Sequence, residues 1–111
     1  MPRRRSMSMT GASSLPFMLI IAGHLIVNAD DRDRYVADST NVVEEARKAP
    51  GCLDFALTAD SLDPARINIY ERWATDHELA AFRGTGPDDT TADRIVEAEV
   101  RKYRISSTES P

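Results

Sequence analysis

The sequence has little of what most chemical sites are built from. Among 111 residues there is one cysteine, Cys52, and there are two histidines, His24 and His77. A single cysteine excludes an internal disulfide framework and fits a reducing compartment, so a cytoplasmic location is expected. Two widely spaced histidines and that cysteine match no zinc pattern, and no metal is expected. The five glycines form no phosphate loop, because Gly84-Thr85-Gly86 is too short and follows a helical stretch instead of a strand. No nucleophile elbow is present. A basic surplus is missing as well: a net charge of -4 and a pI near 5.1 argue against nucleic acid as a partner.

Long apolar runs are also missing. The longest, Leu15 to Val27, has thirteen residues and contains Gly23 and His24, too short and too polar to cross a membrane. Arg3-Arg4-Arg5 before it and Val27-Asn28-Ala29 at its end give the outline of a signal peptide. However, nine residues, Ser6 to Ser14, separate the arginines from the run, and the run continues directly into a helical pattern. The sequence therefore predicts a buried strand behind a loose tail, with no membrane partner.

What is present reads as one domain over residues 15–106, with a disordered N-terminal tail, 1–14, and a polar C-terminal tail, 107–111. Phe17 to Asn28 is a continuous apolar run, the pattern of a strand buried on both faces. Asp30 and Asp31 suit the start of a helix. Tyr35, Val36, Ser39, Val42, Val43, Ala46 and Ala49 recur at helical spacing up to the stop at Pro50-Gly51. Cys52 to Ala59 reads as a second strand, with Leu53, Phe55 and Leu57 facing one way. A turn at Asp63-Pro64 leads to a third, Arg66 to Trp73, which places Ile67, Ile69, Glu71 and Trp73 on one face and Asn68, Tyr70 and Arg72 on the other. Thr75, with Glu78 three residues on, opens a second helix, about Asp76 to Arg83. Asp88 to Val96 suggests a further short helix, and Glu97 to Ser106 a last strand.

The order β-α-β-β-α-β is the ferredoxin-like α+β plan: a four-stranded antiparallel sheet with helices on one face. The other face also needs cover. A second copy, sheet against sheet, is the usual solution, so a homodimer is expected.

Two segments resemble a known family. Ala46-Arg47-Lys48-Ala49-Pro50-Gly51-Cys52-Leu53 is similar to a helix-to-strand junction of the antibiotic biosynthesis monooxygenases. Tyr70-Glu71-Arg72-Trp73, with Asp76 to Leu79 after it, resembles that family's strand-to-helix segment. The resemblance covers roughly Phe17 to Ser106. It implies a dimeric α/β barrel and, in characterised members, oxygenation of quinols or aromatic polyketides without metal, haem or flavin. On that basis no cofactor is expected, and the partners are a small aromatic molecule and O2. Some members degrade haem instead, using a histidine near Phe82 and an asparagine at about Gly23; neither is present. Phe82 also stands where many members similar to quinol monooxygenases carry histidine. Anthrone oxygenases place an asparagine at the position of Ile69 and a tyrosine at that of Leu79; of that set only Trp73 remains.

The candidate catalytic residues are His24, Glu71 and Trp73, and the candidate pocket residues are Gly23, Ile69, Leu79 and Phe82. Trp73 either orients an aromatic ring and donates its indole N–H, or is a structural tryptophan at a core edge. Glu71 beside an apolar wall suits a base with a raised pKa; a structural ion pair is the alternative. His24 offers an imidazole near neutral pH, or a hydrogen-bonded group at the dimer interface. His77 is expected in solvent, and Cys52 as a small buried hydrophobe. The resulting expectation is a cofactor-independent monooxygenase of a phenol, quinol or polyketide. The alternatives are a dimeric ligand-binding module without chemistry, or a cyclase- or isomerase-like protein.

Overall fold

A computed structural model describes residues 18–85 and 92–111. The N-terminal tail expected over 1–14 lies outside these, as do residues 88–91 of the segment read as a short helix over Asp88 to Val96; its described part is instead a 3-10 turn and the start of the last strand. Four strands, β1 (Leu19–Val27), β2 (Cys52–Ala59), β3 (Arg66–Trp73) and β4 (Ile95–Arg104), form one sheet in the order β2-β3-β1-β4. Every neighbouring pair is antiparallel. The helices are α1 (Arg32–Asp38), α2 (Thr40–Lys48) and α3 (Asp76–Thr85), and a 3-10 turn, Ala92–Arg94, leads into β4. This is the ferredoxin-like α+β arrangement. No helix among the described residues is long and apolar enough to cross a membrane.

The first helix is broken where the spacing predicts one. Ser39 sits between α1 and α2, and its buried hydroxyl donates to the carbonyl of Tyr35 at 2.9 Å. Its backbone N–H reaches both Tyr35 O and Val36 O, at 3.1 and 3.2 Å. A serine bonded back to the preceding turn competes with the regular ladder and bends the axis. The apolar face survives the bend, because Tyr35 and Ala46 are both buried against the sheet.

In β2 the register shifts between Cys52 and Asp54. This bulge corrects the expected alternation: Cys52, not Leu53, packs beside Phe55 under the helices, and Leu53 is 45% exposed. β1 is buried on one face, through Leu19, Ile21, Leu25 and Val27, while Ile20, Ala22, His24 and Ile26 are half-buried on the other. β4 begins two residues earlier than expected and ends at Arg104, and Val96–Arg104 are exposed throughout.

Two buried clusters lie under the helices. One holds Leu19, Ile21, Ala46, Phe55, Trp73 and Leu79, with Phe82 and Cys52 packed on it. The other holds Leu25, Val27, Tyr35 and Ile67.

Arginine clamps join the parts. Arg94 donates to both oxygens of Asp31 at 2.7 Å and to Asp38 at 2.9 Å, and stacks 5.2 Å from the centre of the Tyr35 ring. Arg32 donates to the carbonyls of Asp63 and Arg66, at 2.9 and 3.0 Å, and ties α1 to the β2–β3 loop. At the other end Arg104 grips Asp76, at 2.7 and 3.2 Å, and so places the start of α3 beside β4.

Candidate functional site

The two segments that carry the family resemblance meet in space. Cys52 faces Trp73 across the β2–β3 ladder. The N–H of Ala74 donates to the carbonyl of Gly51 at 2.8 Å. Glu78 closes the helix start, its N–H bonding Thr75 Oγ1 at 3.1 Å and its carboxylate accepting the same hydroxyl at 3.1 Å. The Glu78 side chain then lies where a Cβ on Gly51 would be, and Gly51 has φ +82°. Only glycine meets both conditions without strain. The paired motifs thus build one corner, which fixes where β3 ends and α3 begins.

That corner holds Trp73 and Glu71 side by side on the helix-covered face. Trp73 is fully buried, and its Nε1–H donates to Glu71 Oε1 at 3.0 Å. Phe82 of α3 lies over the indole, with ring centres 5.4 Å apart and planes tilted by 32°. Phe55 meets the same Phe82 edge-on at 6.3 Å. Leu79 completes the apolar wall. Burial pushes the Glu71 carboxyl above its usual range, while the indole bond and, more weakly, Arg83 draw it back. The second carboxylate oxygen of Glu71 has no hydrogen-bond partner among the described residues.

The register places the pocket candidates in rows across this face. One row runs Phe55, Glu71, Ile21, Lys102; the next runs Leu57, Ile69, Gly23, Val100. Gly23 has φ +153°, and a Cβ there would fall on the backbone carbonyl oxygen of Glu99 in β4. Glycine is therefore required for β4 to lie this close to β1. It also leaves the middle of the face without a side chain. Val100 beside it is 37% exposed, so the described helices leave this half of the face uncovered. Glu71 stands at the border between the packed half and the uncovered half.

The candidate residues therefore divide. Gly23, Ile69, Glu71, Trp73, Leu79 and Phe82 share the helix-covered face. His24 does not. It points from β1 to the opposite face, between Asn68 of β3 and Glu99 of β4. The backbone of the sheet separates its imidazole from Glu71. His77 is exposed on the first turn of α3. Cys52 is half-buried, and burial raises its thiol pKa, so it carries little thiolate.

Val100 and Lys102, which border the uncovered half, were not among the candidates. Nothing in their local sequence marks them; only the β1–β4 register brings them beside Gly23 and Ile21. The Glu71–Trp73 bond was accessible from sequence, since a donor and an acceptor two residues apart share one face of a strand.

The sequence profile of the antibiotic biosynthesis monooxygenases matches residues 18–92. The chain belongs to this family. A curated relative, an uncharacterized protein of Synechocystis sp., is 23% identical over 97 residues. That match covers 83% of this chain and 66% of the cyanobacterial protein, just under two thirds of its length. A candidate antibiotic biosynthesis monooxygenase from Nitrosomonas europaea superposes with a TM-score of 0.72 at 23% identity, over 81% of this chain and 91% of that one. A conserved protein of unknown function from Bacteroides thetaiotaomicron gives 0.70 at 18% identity, covering 82% and 100%. At these identities the structural likenesses establish the fold of an antibiotic biosynthesis monooxygenase and nothing finer.

Proposed function

We propose that this member of the family is a cofactor-independent monooxygenase of a small phenol, quinol or aromatic polyketide, with Glu71 as its base. The observation that carries this reading is the carboxyl of Glu71. Burial raises its pKa, the Trp73 indole fixes one oxygen at 3.0 Å, and the other oxygen is left to take a proton. A base is most effective when its pKa approaches the working pH, and a held rotamer shortens the search for the reactive geometry. In the proposed reaction Glu71 removes a proton from the substrate. The resulting anion gives one electron to O2, and the radical pair joins as a carbon-bound peroxide. Loss of water then leaves one oxygen atom on the oxidised carbon, while the other departs reduced. Trp73 acts as a positioning residue, because its ring is fully buried and its N–H is engaged by Glu71. Gly23, Ile69 and Val100 form the floor, and Phe82 and Leu79 the wall.

His24 belongs to the other face. We propose that this face takes a second copy of the chain, which would cover the half-buried Ile20, Ala22, Ile26 and Tyr70.

A second reading, ligand binding without chemistry, is favoured by Phe82, which packs on Trp73 and offers no proton-transfer group. An oxygen electrode separates the two. With a panel of quinols and anthrones and no added cofactor, the oxygenase consumes O2 above the buffer rate, and Glu71→Gln lowers that rate about a hundredfold. Absence of uptake across the panel, with a ligand still raising the melting temperature, overturns the oxygenase in favour of the binding module. Conversion of a polyketide under argon identifies a cyclase or isomerase.

A further inference from the structure

The last strand sorts its charges by face. Val100, Lys102 and Arg104 lie on the helix side, opposite Gly23, Ile21 and Leu19 of β1. Glu97, Glu99 and Arg101 lie on the other side, opposite Ile26, His24 and Ala22. Both acids of β4 are therefore turned away from the candidate site, and the two charges turned toward it are cations. The chain as a whole carries a net charge of -4, so this positive border runs against the general balance.

Lys102 is the less engaged of the two cations. Arg104 already holds both oxygens of Asp76, at 2.7 and 3.2 Å, whereas the Lys102 ammonium reaches only Oδ1, at 3.4 Å. Both ends of that longer contact are about half exposed, at 47% and 50%. An exposed pair of this kind contributes little, and Asp76 keeps its bidentate partner when Lys102 turns elsewhere. The ammonium has three donors to offer, and its neighbour on the same face of β4 is Val100, at the edge of the uncovered half. A second cation comes from α3. Asp76 and Arg83 are seven residues apart, close to two full turns, so they share one face of the helix. Asp76 bonds Lys102 and Arg104, so that face borders β4. No acceptor among the described residues holds the Arg83 guanidinium, and its charge is felt at Glu71.

We propose that Lys102 and Arg83 hold an anionic group of the substrate, which makes the substrate an aromatic carboxylic acid: a phenol or quinol whose hydroxyl meets Glu71 while its carboxylate lies toward β4 and α3. This rests on the reading above that Glu71 serves a substrate lying over Gly23, and it adds the chemical class that the border selects. A carboxylate accepts from an ammonium and a guanidinium through charge-assisted bonds, which are stronger than neutral ones. Gly23 admits a flat ring, since no side chain rises from it. Glu71, Ile21 and Lys102 stand in one row across three strands, so the outer two Cα atoms are about 10 Å apart. That spacing leaves room for one ring between the base and the ammonium, and it keeps the substrate carboxylate away from the Glu71 carboxylate.

Isothermal titration calorimetry on the full chain under argon, where no O2 is consumed, tests this with three probes built on one ring: gentisate, its neutral methyl ester and hydroquinone. Gentisate binds about tenfold or more tighter than the ester, and added salt narrows the gap. Lys102→Met removes most of that preference, loosening gentisate about tenfold while shifting the ester by less than about twofold. Arg83→Gln acts in the same direction with a smaller loss, about threefold. Lys102→Met keeps the Arg104–Asp76 clamp, and a matching circular dichroism melt checks the fold. Gentisate that does not bind, that binds no better than its ester, or that keeps its preference in both variants overturns the anion site. An oxygen electrode separates this outcome from the reading beneath it. An acid preference that Lys102→Met abolishes, without O2 uptake from any quinol, supports the anion site and overturns the oxygenase. O2 uptake with equal kcat/KM for gentisate and hydroquinone supports the oxygenase and overturns the anion site.

Discussion

The two faces of this sheet are built from alternate residues of the same strands, yet they use polar side chains in opposite ways. On the helix-covered face the one acid of β3, Glu71, is fixed at 3.0 Å by its own strand neighbour Trp73, which packs with Phe82 and Leu79. On the open face Arg72, the residue between Glu71 and Trp73, has a buried nitrogen with no hydrogen-bond partner among the described residues. The covered face is complete within one chain except over Gly23 and Val100; the open face is not. One strand therefore delivers a candidate proton acceptor to one side and that unpartnered donor to the other. The difference also bears on the base. His24 and Glu71 look equivalent in sequence, both titratable and both in strands, but the sheet lies between them and they cannot serve one substrate.

The largest expected effect comes from the residue that both faces share. Gly23→Val places a branched side chain at φ +153° and against the backbone of Glu99. It should cost more than about 4 kcal/mol in urea unfolding, or abolish folding. A wild-type midpoint would mean that β4 does not lie where the register puts it. Trp73→Ala follows, at about 3–5 kcal/mol, because the ring fills the larger cluster completely. A loss below about 1 kcal/mol would show that the corner at Gly51 and Ala74 holds without it.

Activity then sharpens the contrast between faces. For the proposed oxygenase, Glu71→Gln costs about a hundredfold in O2 uptake, whereas His24→Ala stays within about threefold. The reverse order would move the chemistry to the open face.

Much of this architecture was legible before any coordinates. Alternation in β3 assigns Trp73 and Glu71 to one face and Arg72 to the other, since strand periodicity is a local property. The capping pair Thr75 and Glu78 marks the start of α3 for the same reason. Ser39 and Leu53 show where local reading fails. The break at Ser39 depends on a hydroxyl choosing the Tyr35 carbonyl. The bulge after Cys52 depends on how β2 meets β3, and it reverses the face of Leu53. The site has the same division. Glu71 and Trp73 follow from spacing, while Val100 joins Gly23 only through the β1–β4 register, over which sequence separation hides the contact. The family motifs mark the corner at Gly51 and Trp73, which is structural, and this explains why they identify the fold better than the reaction.

The smallest effect is a pH dependence whose sign differs between the faces and the rim. Glu71 has a folded pKa above its unfolded value, because burial penalises its charge. The native state therefore binds its proton more tightly than the unfolded chain does. That contribution is fully present below the ordinary carboxylate range and is lost as pH rises through the raised folded pKa. Asp31 and Asp76 behave oppositely, since Arg94 and Arg104 hold their pKa values down. Asp60 joins them, lowered to about 2 by the N–H of Asp63, Asn68 and the N–H of Leu62. Their contributions are present above the unfolded carboxylate pKa and are lost as pH falls through the folded values. The raw stability curve mixes both signs, so the informative quantity is the stability of wild type minus that of Glu71→Gln, measured by urea unfolding at a series of pH values. It should fall with rising pH across the range just above the normal glutamate pKa and flatten at both ends. A difference that rises with pH instead would mean that Glu71 is held as a carboxylate by a cation. That would place it with the rim acids as a structural ion pair and remove the basis for assigning it the proton-transfer role.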